Sequence, residues 1–405
     1  MSEWKRCTVG DVCEVFDGPH ATPPQSNDGP IYLGIPSIRS DGSIDYENSK
    51  RISYENYPKW TKRVTPQEND VVFSYEANLE SYARIPAGFE GCLGRRMAIM
   101  RPDPSAIDAR FLYYYTQSPA WKAVIASRTV LGATVNRIPI ATFPEFPLRL
   151  PSLPAQQRIA GVLSAYDKLI ENNCRQIKLL EEAAQRLYKE WFVDLRFPGN
   201  ETTPIIDGIP EGWAKTTVGD LCLTVGGGTP STKVASYYNG GDISWVTPTD
   251  VTGNLGIYLP KTAKMITGEG LENSSARMIP KGAILMTSRA SIGYFAICET
   301  NVCTNQGFIS SIPHDDDMKW VLLRNLQSRV DEMKGLAKGS TFLEISKAAF
   351  RAMPLTIPPK ELAKRFSTIS KELFTKEVLT RKQLEIAREA RDRLLPKLMS
   401  GEIEV

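Results

Sequence analysis

The segment WKRCTVGDVCEVF, from Trp4 to Phe16, returns as WAKTTVGDLCLTV, from Trp213 to Val225. At that spacing of 209 residues, Thr8, Val9, Gly10, Asp11 and Cys13 coincide with Thr217, Val218, Gly219, Asp220 and Cys222. A duplication constrains the fold more than any composition figure, because the chain must build one structural unit twice. At 405 residues the chain also exceeds the ~250 to 300 at which single cores stop growing.

Each half also ends alike. GATVNRIPIATFPEFPLRLP faces GSTFLEISKAAFRAMPLTIP at a constant offset of 207, with Gly132 on Gly339, Thr134 on Thr341, Phe143 on Phe350 and Pro147 on Pro354. Around Cys92, CLGRRMAIMRP resembles CTNQGFISSIP, and Gln117-Ser118 matches Gln327-Ser328. Between these fixed points VFDGPHATPPQSNDGP and TVGGGTPSTKVASYYNGGD share little. A frame retained while its loops diverge suits a scaffold carrying two different recognitions, since binding residues concentrate on loops held by rigid elements.

Short apolar runs such as DVVFSY and GAILMTS, broken by Gly, Pro, Asn and Asp, predict short strands. DARFLYYYTQSPAWKAVIAS and MKWVLLRNLQSRVDEMKG each fit an amphipathic helix ending before a glycine. After Pro151 and Pro358 a heptad pattern takes over. Its first copy places Ile159, Leu163, Tyr166, Ile170, Asn173, Ile177, Leu180 and Leu187 on one seam. The second, patchier copy places Leu373, Thr380, Leu384 and Leu394 there, with Glu377 and Arg391 among them. Asn173 and Thr380 share one slot, where a polar residue either fixes helix register or faces water.

Catalytic chemistry finds little to use. The two histidines, His20 and His314, are too few for a histidine-based site. KGSTF matches only the end of a phosphate-binding loop, VGGGTP opens no helix, and TPPQS lacks the aromatic of an amino-methyltransferase turn. Asp103 and Asp108 lack the partners of a nuclease. Cys13 with Cys222, and Cys92 with Cys303, read as core thiols, while Cys298 and Cys303 lack companions for zinc. No run of ~18 apolar residues spans a bilayer and MSEWKRC lacks a signal core, so a cytoplasmic protein is expected. The net charge of +3 is small for a protein gripping nucleic acid, which would then need local patches. PKWTKR and GRRMAIMR, with Lys59, Lys62, Arg63, Arg95, Arg96 and Arg101, are candidates; a solvated surface is the alternative. These absences point to binding rather than catalysis.

LPAQQRIAGVLSAYDKLIENN, RLYKEWFVDLRFPG and LLPKLMSGEIEV, together with VGDVCEV, VGDLCLTV and the GAT and GST loops, resemble the specificity (S) subunits of type I restriction-modification enzymes. The resemblance covers the whole chain. It implies an α+β fold: two similar mixed α/β target-recognition domains, 1–151 and 198–358, separated by two long antiparallel helices, 152–197 and 359–405, with pseudo-two-fold symmetry. It further implies a subunit that is no enzyme and holds no cofactor itself, S-adenosylmethionine being expected on two modification (methyltransferase) subunits that assemble on it. Restriction subunits would add nuclease and translocase. Double-stranded DNA would be read as a bipartite target, one half per domain, with the helices setting the gap. A specificity subunit of a modification-cleavage enzyme outside type I is the near alternative, and a protein-binding scaffold the distant one.

On this reading DNA contacts are expected on loops that correspond across the repeat. In the first copy these are Arg39, Asn78, Arg95, Arg96, Thr134, Asn136 and Arg137. In the second they are Lys233, Thr249, Ser288, Arg289, Gln306, Ser340 and Thr341. For the GAT and GST loops the competing role is a glycine helix cap followed by a threonine N-cap.

Overall fold

The computed structural model describes residues 4–132 and 135–405, so Thr134 lies outside the described residues. The chain divides into two compact units, 1–169 with 387–405, and 170–386.

The repeated openings and endings are partners of one another. Lys5–Thr8 runs antiparallel to Pro147–Leu150 with Thr8 opposite Pro147. Ala214–Thr217 runs antiparallel to Pro354–Ile357 with Thr217 opposite Pro354. Each opening strand then turns on the same device. The Thr8 amide and hydroxyl donate to the Asp11 carboxylate at 2.7 and 2.9 Å, and Thr217 donates to Asp220 at 3.0 and 2.6 Å. These donors hold both carboxyls below the usual range. The Val9 and Val218 amides donate to the carbonyls of Phe146 and Met353, at 2.9 and 3.0 Å. The chains approach so closely that a Cβ on Gly10 or Gly219 would stand 3.1 Å from the Cβ of Pro144 or Arg351. The shared Val-Gly-Asp motif thus latches the start of each recognition body to its end.

From there Cys13–Asp17 enters a four-stranded antiparallel sheet with Met97–Pro102, Val71–Ser74 and Tyr82–Arg84. Cys222–Gly226 does the same with Phe308–Pro313, Ile284–Thr287 and Phe295–Ala296. Beside each sheet lies a parallel pair, Ser26–Leu33 with Gly91–Leu93, and Ile243–Val246 with Val302–Thr304. In the second unit Lys264–Ile266 and Met278–Ile279 extend that pair to four strands. Cys92 and Cys303 occupy these pairs fully buried, and burial pushes their thiols up to about 12 and about 11, which suits packing rather than reactivity. Phe143 and Phe350, matched in the repeat, are wholly buried in the cores of their units.

The amphipathic segments differ from expectation: each is two helices. Ala109–Tyr115 stops, and Pro119–Arg128 restarts where the Ser118 hydroxyl accepts the Trp121 amide and Pro119 fills the first turn. Asp316–Ser328 and Val330–Leu336 break at Arg329. Both breaks fall beside the repeated Gln-Ser pair.

Long helices follow each body, Leu153–Tyr188 and Lys360–Ser400. Within each unit the beginning of one packs beside the end of the other, so the two run antiparallel. Ile159 and Leu163 share a core with Leu395 and Leu398, and Tyr188 and Trp191 share one with Leu362 and Phe366. Along the seam Asn173, Ile177, Thr380 and Leu384 are buried, whereas Tyr166, Ile170, Leu180, Leu187, Leu373 and Leu394 are half-buried. Asn173 therefore faces inward, and its amide nitrogen has no hydrogen-bond partner among the described residues. No helix among the described residues is long and apolar enough to cross a membrane.

The charged seam residues tie each body to its helices. In the first unit Tyr114 donates to Asp167, which also accepts from Arg391 at 2.9 Å. In the second, Arg324 and Gln327 donate to Glu181, and Glu377 accepts the amides of Ile257 and Tyr258 at 2.7 and 2.8 Å.

Candidate nucleic-acid interface

In both units a central strand of the four-stranded sheet leads into loops shaped by one backbone device. After Val71–Ser74 the chain turns through Ala77 at φ 67°, and after Ile284–Thr287 through Ala290 at φ 62°. A left-handed alanine is uncommon and costs of order 1 to 3 kcal/mol unless its surroundings impose it. Here they do. The Ala77 amide donates to the carbonyl of Asn136 at 3.1 Å, and the Ala290 amide to that of Leu343 at 3.0 Å. Each turn is thereby stapled to a projecting loop. These loops are closed by reciprocal backbone bonds between Val130 and Arg137, and between Lys338 and Glu344. The second of them holds the GST segment, which is therefore a closed ribbon rather than a helix cap, whereas Thr134 of the GAT segment lies outside the described residues. Ser340 and Thr341 are exposed at the second tip.

In the first unit the loops border a cleft of about 870 Å³. Arg39, Asn78 and Asn136 from the expected set line it, joined by Gln117, Lys122 and Tyr113. Its cations are neutralised: Arg39 pairs with Asp45 at 2.9 Å, Lys122 approaches Glu80 at 3.7 Å, and Arg391 pairs with Asp167 and Asp392. Burial pushes the Tyr113 phenol up to about 12, so it remains a donor. What the cleft offers is a set of amides and hydroxyls of the kind that read base edges. Arg95, Arg96 and Arg137 do not line it. Arg96 is turned to φ 73° and paired with Glu76 at 2.8 Å, while Arg95 and Arg137 are exposed.

In the second unit a cleft of about 480 Å³ adjoins one of about 370 Å³, both bordered by Gly226, Gly227 and Lys347. Ser288 and Gln306 line the larger one. Ser288 is buried, its amide donating to Gly307 and its carbonyl accepting from Ile345, so it forms floor. Gln306 is exposed and accepts from Thr229. Arg289 lies over the Phe342 ring, 5.5 Å from its centroid and 4.0 Å from Glu344, outside both clefts. Lys233 and Thr249 are exposed and line neither. Sequence reasoning missed Lys338, Lys347 and Arg277, which do. The repeat held a signal for one of them, because Lys347 stands where the first copy has Ile140.

Known proteins share this plan. The family model described as type I restriction modification DNA specificity domain matches residues 1–182 and again 210–386. A type I restriction enzyme specificity subunit of Methanocaldococcus jannaschii, MjaIX, is 36% identical over 166 residues, which is 40% of this chain and 38% of that one. The HindI specificity subunit of Haemophilus influenzae is 22% identical across the whole of both chains. Among solved structures, the type I restriction-modification S subunit from M. genitalium superposes with a TM-score of 0.61, at 17% identity, over 98% of this chain and 96% of that one, which speaks for the fold. With two family matches that coincide with the two halves of the internal repeat, the chain belongs to the type I restriction-modification DNA specificity family.

Proposed function

We propose that this chain selects the DNA target of a type I restriction-modification complex, each unit reading one half of a bipartite sequence. The observation that carries this reading is the pairing of a shared latch with divergent clefts: matched strands and stapled loops in both units, bordered by different polar side chains. Two different half-sites are what such a duplication serves. The chain supplies recognition and not catalysis. Two modification subunits, holding S-adenosylmethionine, assemble on it and methylate the target, and restriction subunits join them. The two long helices, each beginning in one unit and ending in the other, set the unread gap.

The test is a base-resolution map of methylation in the host genome before and after removal of the gene. The expected result is loss of one two-part adenine-methylation motif with an unread gap. A methylome that keeps every motif would overturn the proposal.

A further inference from the structure

We propose that the groove beside Gly226 and Gly227 is a seat for the phosphodiester backbone of DNA, held by Lys347, Arg277 and Lys338, and that the first unit lacks its counterpart. The inference rests on the reading that this chain binds DNA, and adds where one unit takes hold of the backbone rather than the bases.

The two adjoining clefts of the second unit bring Lys338, Lys347 and Arg277 to one groove against a single lining carboxylate, Glu344. All three cations are exposed, and none forms an ion pair among the described residues. Like charges gathered around a groove repel one another and raise the local potential, which an anion relieves. The floor is open for that anion. Gly226 has no side chain, and the Lys347 ammonium lies 3.0 Å from where its Cβ would be. At Gly227 a Cβ would collide with the carbonyl oxygens of Thr304 and Asn305, so this backbone must stay bare. The Thr224 and Thr304 hydroxyls beneath it have no hydrogen-bond partner among the described residues, but both are closed off from the groove. Cations without ion-pair partners over a glycine backbone that leaves them room are donors that phosphates accept.

The first unit blocks the same place. By strand register Asp17, opposite Ala98, corresponds to Gly226, opposite Ile309. Asp17 holds Arg63 at 2.7 Å and His20 at 3.1 Å, so a carboxylate stands where a phosphate would come. Ile140 opens the turn that Lys347 opens in the second copy.

The experiment uses the full chain assembled with its modification subunits and a duplex bearing the motif mapped in the host, titrated between about 50 and about 200 mM salt. Removing two phosphate contacts in a Lys347→Ala, Arg277→Ala variant should make the slope of log K against log salt shallower by about 1.8, at ~0.9 per contact, with the motif unchanged. Lys347→Arg should keep the wild-type slope. A double variant with the wild-type slope, or one whose motif changes, overturns the seat. Failure of the unaltered complex to bind its duplex would instead overturn the DNA reading itself.

Discussion

In the first unit Asp17 ends its strand opposite Ala98 and engages Arg63 and His20; in the second, Gly226 ends the matching strand opposite Ile309 and leaves Lys347 and Arg277 without an ion-pair partner among the described residues. Toward the core the two units agree. Thr8 and Thr217 pair with Pro147 and Pro354 in one register, and Phe143 and Phe350 are equally buried. A duplicated domain therefore keeps the residues whose partners lie inside it and changes those that face a groove. The clefts also differ in how their charge is held: the cations lining the first unit's cleft stand in ion pairs, whereas the three lining the adjoining clefts of the second form none among the described residues.

The largest expected effect concerns what is shared. Phe143→Ala and Phe350→Ala should each destabilise their own unit by about 3 to 5 kcal/mol, because both leave a cavity in a closed core. Denaturant unfolding followed by hydrogen exchange in each unit checks this. A large cost in one unit with a negligible one in the other would break the equivalence of the two frames.

The next effect separates the anchors that join bodies to helices. Burial pushes the Glu377 carboxyl up to about 7, with Glu181 adding to it while the Tyr258 and Ile257 amides and Arg324 oppose. A raised acid pKa means that the folded state holds a proton which the unfolded state releases. Its contribution is therefore complete below about 4.5 and is lost as pH rises to about 7. From those two values the loss is about 3 kcal/mol. The amides of Ile257 and Tyr258 should be better protected from exchange at pH 5 than at pH 8, after correction for intrinsic rates. Glu377→Gln should remove that difference. In the first unit the corresponding anchor is the Tyr114 phenol, raised by burial and by Asp167, and it stays neutral across this window. If the Glu377→Gln chain kept the full pH dependence, the assignment to this carboxyl would be wrong.

Much of this plan was legible in the sequence, and the part that was not has physical reasons. The duplication, the strands DVVFSY and GAILMTS and the heptad helices follow from local pattern. That the repeated opening pairs with the repeated ending depends on contacts between residues such as Thr8 and Pro147, which no local period reports. The helix break before Pro119 had its signal in Ser118-Pro119, a cap followed by a first-turn proline; the break at Arg329 had none. Arg96 belonged to a basic patch by sequence, yet the fold gives it Glu76. Glu377 looked like a flaw in an apolar seam, but it binds two backbone amides of its unit.

The smallest effect is the sharpest probe of the contrast between clefts. Asp17→Gly with Ile140→Lys would give the first unit the glycine and lysine of the second and release Arg63. The salt slope should then steepen by about 0.9 for each additional phosphate that the first unit engages. An unchanged slope would mean that these two positions do not decide whether the backbone is held.

The central claim, that each unit reads its own half of the target, is tested most directly by the methylation motif written in a host carrying variants of one unit at a time. Asn78→Ala with Asn136→Ala, at the first cleft, should relax one half-site and leave the other and the gap intact. Gln306→Ala with Thr341→Ala, in the second unit, should relax the opposite half-site. Variants of a single unit that alter both halves together, or pairs in both units that relax the same half, would contradict the account.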